Sequence, residues 1–339
     1  MRAFVTGGTG LVGRHLVHAL LSKGWEVTIL TRDASRARDL ASRGVHVAVG
    51  DLTRPKFGAE MSRADVVFHT AAWYEVGVRD GRGVFDVNVT GTANVFATAR
   101  KENVGRVVYT STAGLFAPAA KARPATEASS PAAAVDDPYV GTKLEAHRIA
   151  VGEMHAGLPL TIVMPAAVFG PGDTGALGRT LALLVRGRLR VLPRGLGTNT
   201  WAHAADVAQG HVLAGTKGRA GEAYLLGDRV LTMAEFYGVA ARAANRSPPR
   251  AIVPITLARL AARLAEFRGR MGSRTSLLSR AALDLARLDV VVDATKARRE
   301  LGWSPAPFAE RVRETMAWYV ERYSDPRAHL PVKRGGASA

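Results

Sequence analysis

The chain of 339 residues contains no cysteine, which excludes a disulfide framework, a thiolate metal site, an iron–sulfur cluster and a cysteine nucleophile. It has no uninterrupted run of about 18 or more apolar residues, the length a membrane-spanning helix needs. Its opening, Met1-Arg2-Ala3-Phe4-Val5, runs straight into a glycine-rich turn and does not read as a secretory signal, so the expected location is the cytoplasm. Acidic residues are scarce, 29 against 46 basic ones, for a net charge of +17. That imbalance invites a nucleic-acid reading. All but 8 of the basic residues are arginine, however, spread along the whole chain, with no compact basic block interleaved with aromatics. No nucleic-acid partner is expected, and the charge serves to attract anionic cofactors. The nine histidines are scattered without a His-Glu-x-x-His pattern, so no metal is expected. Among them His147 and His155 read as surface residues.

What is present is a chain that is 47% hydrophobic, long enough for one large domain or one domain plus a cap. Short β-branched runs alternate with helical stretches through the first half. Strands are expected at 2–6, 25–31, 45–49, 65–71, 104–110 and 160–164. Helices are expected at 10–23, 35–42, 84–101 and 139–156. This rhythm predicts an α/β fold, a Rossmann-type doubly wound parallel sheet covered on both faces, with ligands at the carboxyl ends of its strands. Residues 1–170 read as the dinucleotide-binding domain, its sheet completed by later segments. Residues 171–330 read as mainly a smaller C-terminal substrate-binding lobe. Its helices are expected near 176–186, 205–214, 233–244, 257–268 and 275–288, with short strands at 189–192 and 223–226. Residues 118–137, rich in Ala, Pro and Ser, read as a surface loop. Residues 331–339 read as a flexible tail. The basic stretch 257–264 could rest on anionic lipid, but is expected to pack its leucines on the lobe and solvate its arginines, leaving no membrane partner.

Phe4-Val5-Thr6-Gly7-Gly8-Thr9-Gly10-Leu11-Val12-Gly13 is a strand, a glycine turn and a helix start. Such a turn brings Gly7, Thr9, Gly10, Leu11 and Val12 close to a pyrophosphate, with the helix N-terminus aimed at its charge. The end of the second strand selects the cofactor. An acid there favours NAD through the ribose hydroxyls, whereas an arginine accommodates a 2′-phosphate. Here Thr31 is followed by Arg32, with Arg36 a turn further on, so NADP is preferred, with NAD possible. Asp51 and Leu52, after the third strand, could meet the adenine.

Tyr139-Val140-Gly141-Thr142-Lys143 sets a tyrosine and a lysine four apart, on one helix face. An ammonium beside the phenol, with an oxidised nicotinamide, would lower its pKa from about 10 and make it a workable acid or base. The strand Val107-Val108-Tyr109-Thr110-Ser111-Thr112 ends in three hydroxyls, any of which could hold a carbonyl oxygen.

With these features the chain resembles the extended short-chain dehydrogenase/reductase family, the NAD-dependent epimerase/dehydratase superfamily, in its dihydroflavonol-reductase-like branch. The resemblance runs from Thr6-Gly7-x-x-Gly10-x-x-Gly13 to Asp293-x-x-Lys296-Ala297-x-x-x-Leu301-Gly302-Trp303-x-Pro305. It includes His69-Thr70-Ala71-Ala72 and Asn88-Val89-x-Gly91-Thr92. It implies Tyr139 as proton donor, Lys143 on the nicotinamide ribose and Thr112, not Ser111, as the catalytic hydroxyl. Asn88 supports its helix. Thr70, Ala71, Ala72, Pro165 and Val168 join the cofactor-binding set. A homodimer through helices 84–101 and 139–156 is also implied.

The family divides between reductases and sugar-nucleotide epimerases or dehydratases. The latter usually carry an arginine just before the segment that here reads Trp201-Ala202-His203-Ala204-Ala205-Asp206. This chain has Thr198, Asn199 and Thr200 on that approach, and Met164-Pro165 where Arg-Pro is usual. Trp73, Tyr74, Phe116 and Phe169 are candidate substrate contacts and make the expected pocket apolar. The function expected is therefore an NADP-preferring oxidoreductase acting on a ketone or aldehyde of a hydrophobic small molecule. The alternative is a sugar or sugar-nucleotide epimerase with recycled NAD(P), which residues 69–74 also resemble through a hopanoid-associated subgroup. A cofactor-binding regulator without chemistry is disfavoured by the intact Thr112, Tyr139 and Lys143.

Overall fold

The computed structural model describes residues 1–75, 81–132, 136–269, 280–325, 327 and 329–330. The expected tail at 331–339 and the start of the helix expected at 275–288 lie outside them. The first half begins with β1 (Arg2–Thr6), α1 (Leu11–Leu21), β2 (Glu26–Thr31), α2 (Arg38–Ala41) and β3 (His46–Val49). It continues with α3 (Gly58–Met61), β4 (Val66–His69), α4 (Gly81–Phe85), α5 (Gly91–Lys101), β5 (Val107–Thr110), α6 (Pro138–His155) and β6 (Leu160–Pro165). The second half holds β7 (Ala167–Phe169), α7 (Ala176–Val185), β8 (Val191–Pro193), β9 (Thr198–His203), α8 (Ala204–Thr216) and β10 (Ala223–Leu226). It closes with β11 (Arg229–Thr232), α9 (Met233–Ala243), β12 (Ala251–Val253), α10 (Ile255–Gly269), α11 (Arg280–Ala286), α12 (Thr295–Leu301) and α13 (Phe308–Tyr323).

Seven parallel strands form the central sheet in the order β10-β6-β5-β4-β1-β2-β3. The chain reverses direction between β1 and β4, which opens the crevice where such sheets take a ligand. β4 is buried at every position, as a central parallel strand should be. One face carries a core built on Phe4, Val67, Phe96, Tyr109 and Ile162, the other a core built on Val5, Leu16, Leu20, Phe68 and Trp303. α1 turns Leu16, Val17 and Leu20 inward at helical spacing. A third core lies among α7, α9 and α13, where Trp201 stacks on Phe236 with ring centroids 3.8 Å apart.

The sequence expectations need several corrections. The single helix expected at 84–101 is three pieces, α4, a π-helical turn at Asp86–Thr90, and α5. The helix expected at 35–42 is a 3₁₀ turn, Ala34–Ala37, followed by α2. Strands β7, β11 and β12 escaped the reading because three or four residues are too few to show a period, and the six-residue β9 because its buried positions run consecutively instead of alternating. Residues 118–137 are not simply a surface loop. Ala119 and Ala125 are buried and bond the segment at 289–293, with Ala119 N–H on the Asp289 carbonyl at 2.8 Å. His147 is buried, not a surface residue, whereas His155 is exposed. The leucines of α10 face solvent instead of packing on the lobe.

Buried histidines make the fold sensitive to acid. His211 donates from Nδ1 to the Val207 carbonyl at 2.8 Å, so its Nε2 accepts from Thr110 Oγ1, also at 2.8 Å. Burial pushes His69 down to about 3, and His147 and His211 down to about 4, from an ordinary 6.5. The unfolded chain takes up protons that the fold refuses, so this stability is complete above 6.5 and is lost as pH falls below it. Each such histidine contributes a slope of about 1.4 kcal/mol per pH unit within that window. Urea unfolding should therefore show a midpoint far lower at about pH 5 than at about pH 7. An unchanged midpoint would contradict the neutral assignment.

Candidate active site

The glycine turn is shaped by what touches it. Gly7 has φ +75°, and a Cβ there would lie 2.6 Å from the Ala71 amide nitrogen. A Cβ on Gly13 would overlap the Gly7 carbonyl oxygen. The turn thus closes on itself and on the chain leaving β4. α1 begins at Gly10 without a side-chain cap and without an acid in its first turn. The amides of Leu11 and Val12 are among its unspent N-terminal donors, which an anion satisfies. Thr9 is half-buried beside them. This cradle fits a dinucleotide pyrophosphate.

Further along the crevice, Arg32 and Arg36 are both exposed after β2. The Asp33 carboxylate caps the following turn, accepting from Ser35 N–H at 2.8 Å. The Gly50 amide bonds the Thr31 carbonyl at 3.0 Å, which brings Asp51 next to the Arg32 end of β2. Asp51 accepts from Thr53, and the Leu52 carbonyl accepts from Asn94 Nδ2 at 2.8 Å. Asn94 is a support that the sequence reading missed.

A chain of buried polar groups joins this turn to the tyrosine helix. Thr6 Oγ1 meets His69 Nδ1 at 2.6 Å, and His69 Nε2 meets Thr92 Oγ1 at 3.0 Å. Thr92 donates to the Asn88 carbonyl. Asn88 sits in the π turn, where its side chain clasps both backbone groups of Trp73 and donates to Thr142 Oγ1 at 3.1 Å. Thr142 donates in turn to the Tyr139 carbonyl. Thr70 Oγ1 donates to the Thr6 carbonyl at 2.8 Å, which seats Ala71 and the exposed Ala72 beside the glycine turn.

Asp137 fixes the start of α6 by accepting from Tyr139 N–H at 2.9 Å, with Pro138 at the first helical position. The Asp-Pro pair was the sequence signal for this cap, and it went unread. Lys143 is buried one turn on. It donates to the Thr110 carbonyl at 3.0 Å and to Tyr109 Oη at 3.3 Å, and burial pulls it down to about 8. Tyr109 is a second missed residue. Without cofactor, burial, aided by Tyr74, Tyr109 and Asp137, raises the Tyr139 pKa well above 10. The ammonium of Lys143 is engaged by Tyr109 and Thr110, and the dry surroundings of Tyr139 favour the neutral phenol.

The two candidate hydroxyls separate. Ser111 is buried and bonded to His147 Nδ1 at 2.9 Å, whereas Thr112 is half-buried and accepts from Gly114 N–H at 3.1 Å. The four aromatic candidates divide as well. The Tyr74 ring stands edge-on to Tyr139 at 5.0 Å while remaining 53% exposed, and Trp73 precedes it on Asn88. Phe116 is buried in the core under the sheet, and Phe169 is fully buried against His203, Phe236 and Phe308. Pro165 is buried at the end of β6 and Val168 is half-buried in β7.

Residues 3–227 match the profile of the NAD dependent epimerase/dehydratase family. The chain is similar to a ketoreductase of Stigmatella aurantiaca, named for 4-hydroxy-2-methyl-3-oxo-4-farnesyl-3,4-dihydroquinoline-1-oxide. The two are 30% identical over 318 residues, 90% of this chain and 92% of the relative. Sterol demethylase protein B of Methylococcus capsulatus is 31% identical over 329 residues, 95% of this chain and 99% of the relative. Among solved structures, the UDP-glucose 4-epimerase of Thermotoga maritima shares the fold with a TM-score of 0.77 at 21% identity, over 95% of this chain and 99% of the other.

Proposed function

Given that the chain belongs to the NAD-dependent epimerase/dehydratase family and is an NAD(P)-dependent oxidoreductase of the extended short-chain type, we propose that it reduces a ketone or aldehyde on a hydrophobic small molecule and prefers NADPH. The observation that carries this reading is the aromatic setting of the acid. Tyr139 is a neutral phenol with the half-exposed Tyr74 ring set edge-on against it. A protonated, dry phenol is the form that reduction consumes, and an aromatic wall suits an apolar carbonyl compound.

The cofactor supplies the hydride when bound. Gly7, Thr9, Gly10, Leu11 and Val12 would hold its pyrophosphate. Arg32 and Arg36 would take the 2′-phosphate, while Asp51 and Leu52 would face the adenine. Thr70, Ala71, Ala72, Pro165 and Val168 would complete its bed, and Lys143 would bond the nicotinamide ribose. Tyr139 then gives its hydroxyl proton to the carbonyl oxygen, and Thr112 donates a hydrogen bond to the same oxygen as charge develops there. Ser111 is spent on His147 and leaves this task to Thr112.

Two further features favour a reductase over a sugar-nucleotide enzyme. Thr198, Asn199 and Thr200, where sugar-nucleotide members usually place an arginine, are occupied in pairing β9 with β11 and with the segment at 290–292. A nucleoside diphosphate would look for cationic partners there. The two relatives named above carry a ketoreductase name and a sterol name, both of hydrophobic compounds.

The test is loss of reduced-nicotinamide absorbance with NADPH and NADH against aromatic and aliphatic ketones and aldehydes. Consumption of NADPH is expected. No consumption with any carbonyl compound, together with isomer formation from a sugar nucleotide, would overturn the reading. Arg32→Ala should weaken NADPH binding about tenfold more than NADH binding, since an arginine–phosphate contact contributes roughly 1.5 kcal/mol or more. Equal losses for both cofactors would remove Arg32 from the 2′-phosphate.

A further inference from the structure

Among the described residues, nine large hydrophobic side chains are exposed, and five of them lie in two adjoining segments, Val191, Ile252, Leu257, Leu260 and Leu264. The segments are continuous in space. β12 pairs with β8, matching Ala251 with Val191 and Ile252 with Leu192, and α10 starts two residues after β12. On α10 the three leucines stand at i, i+3 and i+7, a single stripe, and are 55%, 54% and 51% exposed. Ala258 and Ala262 form the opposite, inward stripe against Leu283 of α11. The helix therefore holds to the protein by alanines and presents its leucines outward, the reverse of what a helix needing only to cover a core would do.

The charge around this ridge is predominantly positive, with Glu266 the one acid in the sequence of α10. Residues 186–194 and 246–265 contain four arginines each and no aspartate or glutamate. Arg188, Arg190, Arg250, Arg259 and Arg263 are exposed. Arg259 meets Asp284 of α11 at 2.6 Å, an acid lent from outside these segments. Successive helix positions turn by about 100°, which sets Arg259 and Arg263 along one flank of the leucine stripe.

We propose that this face, α10 with the β8–β12 ribbon, docks the protein on the surface of an anionic phospholipid membrane. The leucines enter the boundary between headgroups and acyl chains while the arginines remain with the phosphates. Charge selects this occupant. A second copy of the chain would bring another arginine-rich face, with only Glu266 and Asp284 as acids on α10 and beside it, against the first. A nucleic acid would satisfy the arginines but leave the leucines in water. The inference stands apart from the choice of substrate, since binding to vesicles is read without turnover.

The experiment is flotation of the full chain with phosphatidylcholine vesicles, with and without phosphatidylglycerol, at low and high salt. The protein should float with the anionic vesicles, stay behind with the neutral ones and be released by salt. Leu257→Glu/Leu260→Glu/Leu264→Glu should lower the anionic partition by about tenfold or more. NADPH binding and the melting temperature serve as checks of folding. The corresponding triple alanine variant gives the same reading if the glutamates disturb the fold. Failure of the wild-type chain to float, or equal flotation of the folded leucine variants, would overturn the proposal. So would light scattering that shows a dimer which the leucine variants dissociate, because the face would then be spent on a second copy.

Discussion

Tyr139→Phe should lower turnover about 10²- to 10⁴-fold, the range for loss of a positioned general acid, while NADPH affinity stays near that of the wild type. The substitution keeps the ring that Tyr74 meets edge-on at 5.0 Å and removes only the hydroxyl. The backbone anchors of this residue also remain, since Asp137 holds its amide and Thr142 its carbonyl. Folding is thus unaffected, and the loss belongs to kcat. Steady-state kinetics beside a cofactor fluorescence titration would decide it. Turnover within a few-fold of wild type would take the proton-donor role away from Tyr139 and point to water or to Thr112.

A second large effect is expected far from the chemistry. Asp206 at the start of α8 is 2% exposed and accepts from Arg311 of α13 through Nε at 3.0 Å and Nη2 at 2.6 Å. Its neighbourhood is fastened further by Trp303 Nε1, which donates to the Asp206 carbonyl at 2.8 Å. Among the described residues, Arg311→Ala leaves the buried carboxylate with the long Ala306 amide contact at 3.3 Å. Stability should fall by about 3–5 kcal/mol, because the cost of the unpaired charge exceeds what the pair itself contributed. Replacing both partners, Asp206→Leu with Arg311→Met, should regain most of that loss. Urea unfolding of the three proteins measures it. A loss below about 1 kcal/mol in the single variant would mean that water reaches Asp206.

How much of this was legible from residues alone can be seen at particular positions. The opening glycine turn was readable because strand, turn and helix signals coincide within a dozen residues. Tyr139 and Lys143 were readable because four residues is one helical turn. Their electrostatics were not. The pair suggested a phenol pKa lowered by the ammonium and an oxidised nicotinamide; in the chain alone, Lys143 is held by Tyr109 and the Thr110 carbonyl, and burial raises the phenol. From spacing, Ser111 and Thr112 were equivalent hydroxyls. A histidine 36 residues away claims the first. Trp73, Tyr74, Phe116 and Phe169 were four aromatics of equal standing until packing placed two of them in cores. Residues 118–137 lacked any periodic signal, yet two of their alanines are buried by strand-like bonds to a segment more than 150 residues later.

By itself the sequence determined the α/β alternation, the parallel sheet, the dinucleotide cradle and the family, since these rest on spacings that a few covalently linked residues carry. Tertiary structure alone decided how Ser111 and Thr112 are bonded, which aromatics stand beside Tyr139 and which stripe of α10 faces water. The physical reason is common to all three. Periodicity tells which side chains share a face, but burial and hydrogen-bond partners depend on which distant segment arrives to cover that face.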